Sequence, residues 1–78
     1  MNELREAAAG SIVECHSGFA YAERPVAITW QGQRRIVAAL LEQARTPAGR
    51  RFRIRTRDGQ EFELIYFEAT DEWEIHQP

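Results

Sequence analysis

The most regular pattern in the chain is an alternation of apolar and polar residues from Arg50 to Phe67, interrupted at the step Asp58-Gly59. A period of two predicts β-strands with one buried and one exposed face, and an Asp-Gly step between two such runs predicts a hairpin. The chain is therefore predicted to consist mainly of strands. The same pattern marks Ile12 to Ser17, Pro25 to Trp30 and the pair Trp73 and Ile75.

Side-chain parity predicts the length of the loop in this hairpin. A two-residue loop of Asp58 and Gly59 would place Arg55 opposite Phe62, so that a charged and a core residue would share a face. A three-residue loop of Arg57, Asp58 and Gly59 avoids this conflict and leaves glycine where a left-handed residue is needed. The predicted pairs are Arg55 with Glu61, Arg53 with Glu63, Ile54 with Phe62 and Phe52 with Leu64.

The segment from Arg34 to Arg45 allows two interpretations. Its apolar residues follow helical spacing and it is rich in good helix formers, which favours a helix. It also follows the turn signal Gln31-Gly32, which favours a returning strand as far as about Leu41. We predict a strand that loosens into a helical turn near Leu40 to Gln43, with a helical turn or short helix within residues 36–45 as the open alternative. The apolar residues concerned are Ile36, Val37, Leu40, Leu41 and Ala44.

These elements predict a mainly β fold, an antiparallel meander of five or six strands that is strongly curled or barrel-like. Thr46 to Gly49 and Glu68 to Glu72 are predicted turns. Residues 1–10 are predicted to be a flexible N-terminal segment and residues 11–78 a single β domain, because 78 residues suffice for only one core. Beyond Leu64 both faces turn apolar, which predicts a central strand covered on both sides.

Composition narrows the location of the protein. Cys15 is the only cysteine, so the chain cannot form an internal disulfide, which favours a reducing compartment. No segment approaches the roughly 20 apolar residues of a membrane span, and the first ten residues lack the apolar run of a signal peptide. We therefore expect a cytoplasmic protein without a membrane partner.

The net charge of −2 conceals a strong separation of charge along the chain. From Gln33 to Arg57 there are eight arginines against Glu42 alone, whereas Asp58 to Pro78 contains seven acidic residues and no Lys or Arg. All ten cationic side chains are arginines, a choice that suits bidentate pairing with carboxylates. The predicted hairpin would bring the two blocks together and neutralise them across the strands at about 0.2 to 1 kcal/mol per pair.

The candidate binding residues lie on the predicted exposed side of the sheet. On the first strand, two polar residues share a face opposite Val13 and Cys15. The corner before Pro25 adds a charged pair, and the arginine strand presents a stripe that could follow phosphates. The full set is Glu14, His16, Glu23, Arg24, Arg51, Arg53, Arg55 and Arg57.

Catalytic and metal-binding chemistry is not indicated. Cys15 and His16 are adjacent, but successive side chains of a strand point to opposite faces, so they cannot form a thiol–imidazole pair. A cysteine at an apolar strand position is usually a small core residue. No paired-ligand spacing of the C-x-x-C or H-x-x-x-H kind occurs, although Glu14 and His16 share a face. We therefore assign no catalytic residue, no metal site and no cofactor.

Scattered motifs resemble a group of small bacterial proteins of unknown function. They are Cys15-His16-Ser17-Gly18, Glu23-Arg24-Pro25, Trp30-x-Gly32, Asp58-Gly59 and Asp71-Glu72-Trp73. In that group an aromatic residue often stands near position 44, where this chain has Ala44. The resemblance implies a cytosolic, mainly β domain and brings no known activity, cofactor or catalytic residue.

Three functional hypotheses follow. The first is a non-enzymatic binding or interaction module, whose opposite charges serve an unknown protein partner or self-association. The alternative is a small β-barrel that binds nucleic acid through Arg50 to Arg57, which the lack of net positive charge disfavours. The third is a Cys15-dependent enzyme or redox protein, which the strand parity disfavours.

Overall fold

A computed structural model describes residues 2–6, 12–16 and 24–78 of the chain. These residues form seven strands in one antiparallel meander, in which every strand pairs with its neighbours in sequence. The strands are β1 Asn2–Glu6, β2 Ile12–His16, β3 Arg24–Trp30, β4 Gln33–Thr46, β5 Gly49–Thr56, β6 Glu61–Phe67 and β7 Glu72–His76.

The predicted fold class, a curled antiparallel meander, is confirmed. Strands β2 to β7 are six strands, which is the larger of the two predicted numbers, five or six. Strand β1 is an additional edge strand within the first ten residues, where no strand was predicted. The division into a segment 1–10 and a domain 11–78 stays a prediction.

The sheet is bent into a half-barrel around its own core. A flat sheet is about 10 Å thick, whereas the smallest dimension of this molecule is 24 Å. The two edge strands, β1 and β7, approach within 8 Å at their Cα atoms. Strand β4 joins two arms: its residues 33–36 pair with β3, and its residues 37–46 pair with β5. We call β1–β3 with residues 33–36 the N-terminal arm, and residues 37–46 with β5–β7 the C-terminal arm.

The hairpin of β5 and β6 has the register predicted from side-chain parity. All four predicted pairs occur, and the amide of Thr56 donates to the carbonyl of Gln60 at 2.8 Å to close a three-residue loop. Gly59 has a φ of 87°, a conformation that side chains with a Cβ rarely adopt. The turn Gln31-Gly32 is also confirmed, with both residues at positive φ as a two-residue hairpin turn requires.

Strand β4 corrects the prediction of a helical turn within residues 36–45. All fourteen of its residues are extended, and the pairing with β5 shifts by one residue at Ala38 and again at Leu41. The shifts place Val37 and Leu40 on the core side three residues apart, and both pack against the core. A strand with two such bulges reproduces the spacing of a helix, which explains why the sequence pattern was misleading.

The core fills the concave side of the curled sheet and joins the two arms. Val13, Cys15 and Ile28 come from the N-terminal arm, and the remaining members come from β5, β6 and β7. Trp73, which is 1% exposed, contacts two aromatic rings at centroid distances of 5.0 and 5.7 Å. Burying all of these side chains therefore requires both arms. The remaining members are Phe52, Ile54, Phe62, Leu64, Tyr66, Trp73 and Ile75.

The start of β5 packs tightly on the end of β6. A Cβ on Gly49 would lie 2.0 Å from the carbonyl oxygen of Tyr66, so only glycine fits at this pairing. On the opposite side of β6, Ile65 and Phe67 remain partly exposed. The predicted covering of this strand on both sides is therefore complete only on the inner side.

Candidate binding surfaces

The side of the C-terminal arm that points away from the core is a field of charged side chains, which we call the outer face. Residues paired directly across antiparallel strands share a face, so the register assigns its members. A basic row lies on β5, and an acidic row lies at the edge on β7. The members are Glu42, Arg51, Arg53, Arg55, Glu61, Glu63, Ile65, Phe67, Glu72, Glu74 and His76.

Three arginines of the predicted binding stripe are ion-paired on the outer face. Arg51 donates to Glu63 at 2.9 Å and lies 3.5 Å from Glu42. The hydrogen bond to Glu63 raises the pKa of the Arg51 guanidinium. Arg53 and Arg55 share Glu61, with N···O distances of 3.8 and 3.7 Å.

These ion pairs are mostly diagonal. Arg53 is directly opposite Glu63 in the register, yet its carboxylate partner is Glu61. A long guanidinium side chain reaches such diagonal neighbours as easily as the residue opposite. The structure therefore supports the expected neutralisation of the stripe, through partners one pair further along the strand.

Arg57 leaves the stripe, because β5 ends at Thr56 and Arg57 begins the hairpin loop. Its amide donates to the carbonyl of Ile36 at 2.9 Å, which holds the loop against the start of β4. Its exposed side chain has no ion-pair partner among residues 13–15 and 24–78, whose side chains the structure describes. Of the four arginines in the predicted stripe, Arg57 alone lacks a carboxylate partner in this part of the chain.

Asp58 organises the loop beside Arg57. It accepts a hydrogen bond from the Thr56 hydroxyl and forms an ion pair with Arg35. The hydrogen bond from Thr56, with a contribution from Arg35, lowers the pKa of the Asp58 carboxyl, so that it stays ionised at neutral pH. Arg35 also donates to Gln33 at 3.0 Å and lies 5.8 Å from the centre of the Phe62 ring.

Glu14 is more deeply buried than predicted. It was expected on the exposed side of β2, but it is only 8% exposed, between two buried core residues. Its carboxylate accepts two hydrogen bonds from Arg34, at 2.7 and 3.0 Å. The hydrogen bonding to Arg34 lowers the pKa of Glu14, although burial opposes this. The pairing register between β2 and β3 shifts next to Glu14, but the extra residue, Val26, lies on β3 and leaves the alternation of β2 intact. Glu14 therefore lies on the face opposite Val13 and Cys15, as predicted, and only its exposure was wrongly predicted.

The other candidate residues are only partly described. Arg24 opens β3 and is exposed. His16 ends β2, where its backbone pairs with Arg24, while its side chain lies outside the described part. Glu23 lies outside the described residues.

Cys15 is 3% exposed and belongs to the core cluster, which confirms its interpretation as a buried strand residue. A buried thiol is not accessible to a substrate without opening of the sheet. Within the described ranges, no group of three or more His, Cys, Asp or Glu side chains is close enough to hold a metal ion.

The sequence reasoning missed a cluster at the junction of the arms, where Arg34 and Arg35 meet Arg57 and Asp58. The sequence did contain a signal from which this cluster could have been predicted. Since β4 and β5 form a hairpin, the start of β4 must lie beside the end of β5. The loop residues after β5 could therefore have been placed next to Arg34 and Arg35 from the hairpin prediction alone.

Comparison of the chain with protein-family models, with curated proteins and with solved structures finds no match. The resemblance to small bacterial proteins therefore stays a prediction. No helix in the part of the chain that the structure describes is long and apolar enough to cross a membrane.

Proposed function

We propose that the protein is a non-enzymatic interaction module that associates with a second copy of itself through the outer face. The observation that carries this proposal is the position of Ile65 and Phe67, two partly exposed apolar side chains surrounded by charged ones. Apolar side chains within a charged rim are the usual composition of a protein–protein contact.

The charges on either side of Ile65 complement each other. In the register, Arg51 on β5, Ile65 on β6 and Glu74 on β7 lie in one row across the sheet. A two-fold axis along β6 would place Arg51 of each copy over Glu74 of the other, with the two Ile65 side chains in contact at the axis. A surface that carries both signs of charge on opposite sides of an apolar centre is complementary to itself.

The nucleic-acid alternative stays a prediction. The ion pairs of Arg51, Arg53 and Arg55 leave little unmatched positive charge on the stripe, so they support a protein partner more than a phosphate backbone. Binding of labelled single-stranded DNA at low salt is the measurement that distinguishes the two.

A charge-swap experiment tests the proposed dimer. Wild-type protein should sediment as a concentration-dependent dimer, and Arg51→Glu or Glu74→Arg should each weaken association about tenfold or more, because each puts like charges face to face. A mixture of the two variants should restore the dimer. Glu68→Arg makes the same change of charge in the turn beyond β6 and should leave association unchanged.

Two results would overturn the proposal. The first is a wild-type protein that stays monomeric up to roughly millimolar concentration. The second is a mixture that associates no better than either variant alone. Far-ultraviolet circular dichroism of each variant checks that the sheet is intact.

A further inference from the structure

An open hollow of about 420 Å³ lies where the hairpin loop after β5 meets the start of β4. Its volume falls in the range of roughly 300 to 1,000 Å³ that small-molecule sites occupy. It is separate from the outer face, because its residues belong to the junction of the arms. The lining residues are Gln33, Arg34, Arg35, Ile36, Arg57 and Asp58.

The guanidinium groups of the hollow have donors to spare. Arg57 has no carboxylate partner within the described ranges, and its side chain is exposed. Arg34 uses Nε and Nη2 on Glu14, which leaves Nη1 for a further acceptor. Arg35 is held by Asp58 and Gln33, so its positive charge is fixed at the wall of the hollow.

The other walls suit the organic part of a ligand. Ile36 supplies an apolar contact, and the amide of Gln33 and the ionised carboxylate of Asp58 can accept hydrogen bonds from hydroxyl or amino groups. Such a combination of an apolar surface with a few convergent polar groups is typical of small-molecule sites.

We propose that this hollow binds a small phosphomonoester, with its phosphate between Arg57 and Arg34 and its organic group over Ile36. Guanidinium groups bind phosphate oxygens through charge-assisted hydrogen bonds, and a phosphate presents enough acceptors to serve two guanidinium groups at once. A carboxylate has two oxygens and one negative charge, so it would use these donors less completely. This ligand site is independent of the proposed dimer.

Nuclear magnetic resonance titration of the full chain tests the site, with ribose 5-phosphate and inorganic phosphate as probes and ribose and acetate as controls. Ribose 5-phosphate should shift the amide signals of residues 33–36 and 57–59, and inorganic phosphate should shift the same signals more weakly. Ribose and acetate should cause no comparable shifts.

A matched pair of variants locates the binding. Arg57→Gln should weaken binding of ribose 5-phosphate about tenfold or more, because it removes the guanidinium that no carboxylate occupies. Arg45→Gln makes the same change of charge at an exposed arginine that also lacks a carboxylate partner in the described part, but it lies opposite Arg50, away from the hollow. It should leave binding unchanged within about twofold.

The proposal fails if ribose 5-phosphate causes no shifts up to roughly 10 mM. It fails equally if both arginine variants lose affinity alike, which would indicate non-specific attraction, or if acetate binds as well as the phosphate. Folding does not confuse the result, because the contact that holds this loop is made by the backbone of Arg57 and survives the substitution.

Discussion

The two arms of the sheet accommodate their charges in different ways. In β5 and β6 of the C-terminal arm, alternation is strict, and ion pairs such as those of Arg51 and Arg53 lie on the outer face with both partners partly exposed. In the N-terminal arm, Glu14 also lies on the side of its strand opposite Val13 and Cys15, but it is only 8% exposed, and Arg34 binds its carboxylate with two hydrogen bonds. Alternation keeps these charged side chains off the core face in both arms, and the arms differ in how far the carboxylates are exposed to water.

This difference has an energetic consequence. Ion pairs on an exposed surface contribute about 0.2 to 1 kcal/mol each, because water solvates the separated charges nearly as well. A buried carboxylate depends on its partner, since leaving it unpaired in an apolar environment is costly. Substitutions of charged residues should therefore matter little in the C-terminal arm and more at Glu14, while the inward side of the C-terminal arm should tolerate no charge.

The largest effect is expected for Ile54→Glu. This substitution places a carboxylate at a position that is 0% exposed, and we expect a loss of about 4 kcal/mol or more, which is most of the stability of a domain of this size. Urea denaturation followed by tryptophan fluorescence measures it. Arg53→Glu, one residue away on the outer face, should cost about 1 kcal/mol or less, and equal losses would mean that the faces are wrongly assigned.

The second-largest effect is the protection of the Cys15 thiol by the core that the two arms form together. Cys15 lies in a core that both arms build, so its thiol should react with iodoacetamide on the order of a thousandfold more slowly than in the urea-unfolded chain. The same free energy of opening should be measured by hydrogen exchange at the amides of β6. If the thiol is alkylated rapidly while the β6 amides stay protected from exchange, the N-terminal arm opens separately from the C-terminal arm. A Cys15-dependent activity would then again be a hypothesis to test.

A smaller effect is expected at the buried carboxylate. Glu14→Gln keeps the shape of the side chain but removes its charge, and we expect a loss of about 1 to 2 kcal/mol at neutral pH. Because Arg34 lowers the pKa of Glu14 in the folded protein, the unfolded chain takes up a proton at the higher pH. The stabilisation by Glu14 is therefore complete above roughly pH 5 and is lost as the pH falls through the lowered pKa.

The difference in stability between wild type and Glu14→Gln should thus close on acidification. Urea denaturation at several pH values measures this difference. Glu61→Gln, which removes a carboxylate from the exposed ion pairs of the outer face, is the matched control and should lower the free energy of unfolding by less than about 0.5 kcal/mol. If Glu61→Gln costs as much as Glu14→Gln, the two arms do not differ in the way their charges are held.

Local pattern was enough to predict the hairpin of β5 and β6 in the C-terminal arm. Its register followed from the requirement that Ile54 and Phe62 share a face and that Arg55 meets Glu61, because a slip of one residue would invert every side chain. The left-handed position of Gly59 followed from the same reasoning. A strand buried on one face and solvated on the other carries this information in its own sequence.

Local pattern failed where the backbone departs from regular pleating. The two shifts in β4 gave Val37 and Leu40 a helical spacing. At Glu14, parity gave the correct face of β2 but not the exposure, because Glu14 is only 8% exposed in the folded chain. The hollow was missed because Arg34 and Arg57 are 23 residues apart in the chain and come together only when residues 37–46 of β4 pair with β5.

The amino-acid sequence was sufficient to predict the strands other than β1 and the second half of β4, the turns at Gln31-Gly32 and Asp58-Gly59, the register of β5 on β6, and the meeting of the basic and acidic blocks. These features depend on side-chain parity and turn chemistry, which act between residues close in the chain. The positions of the bulges, the burial of Glu14, and the hollow lined by Arg34, Arg35 and Arg57 became visible only in the folded chain. Those features depend on how the two arms curl to enclose a single core, and residues distant in sequence set that curvature together.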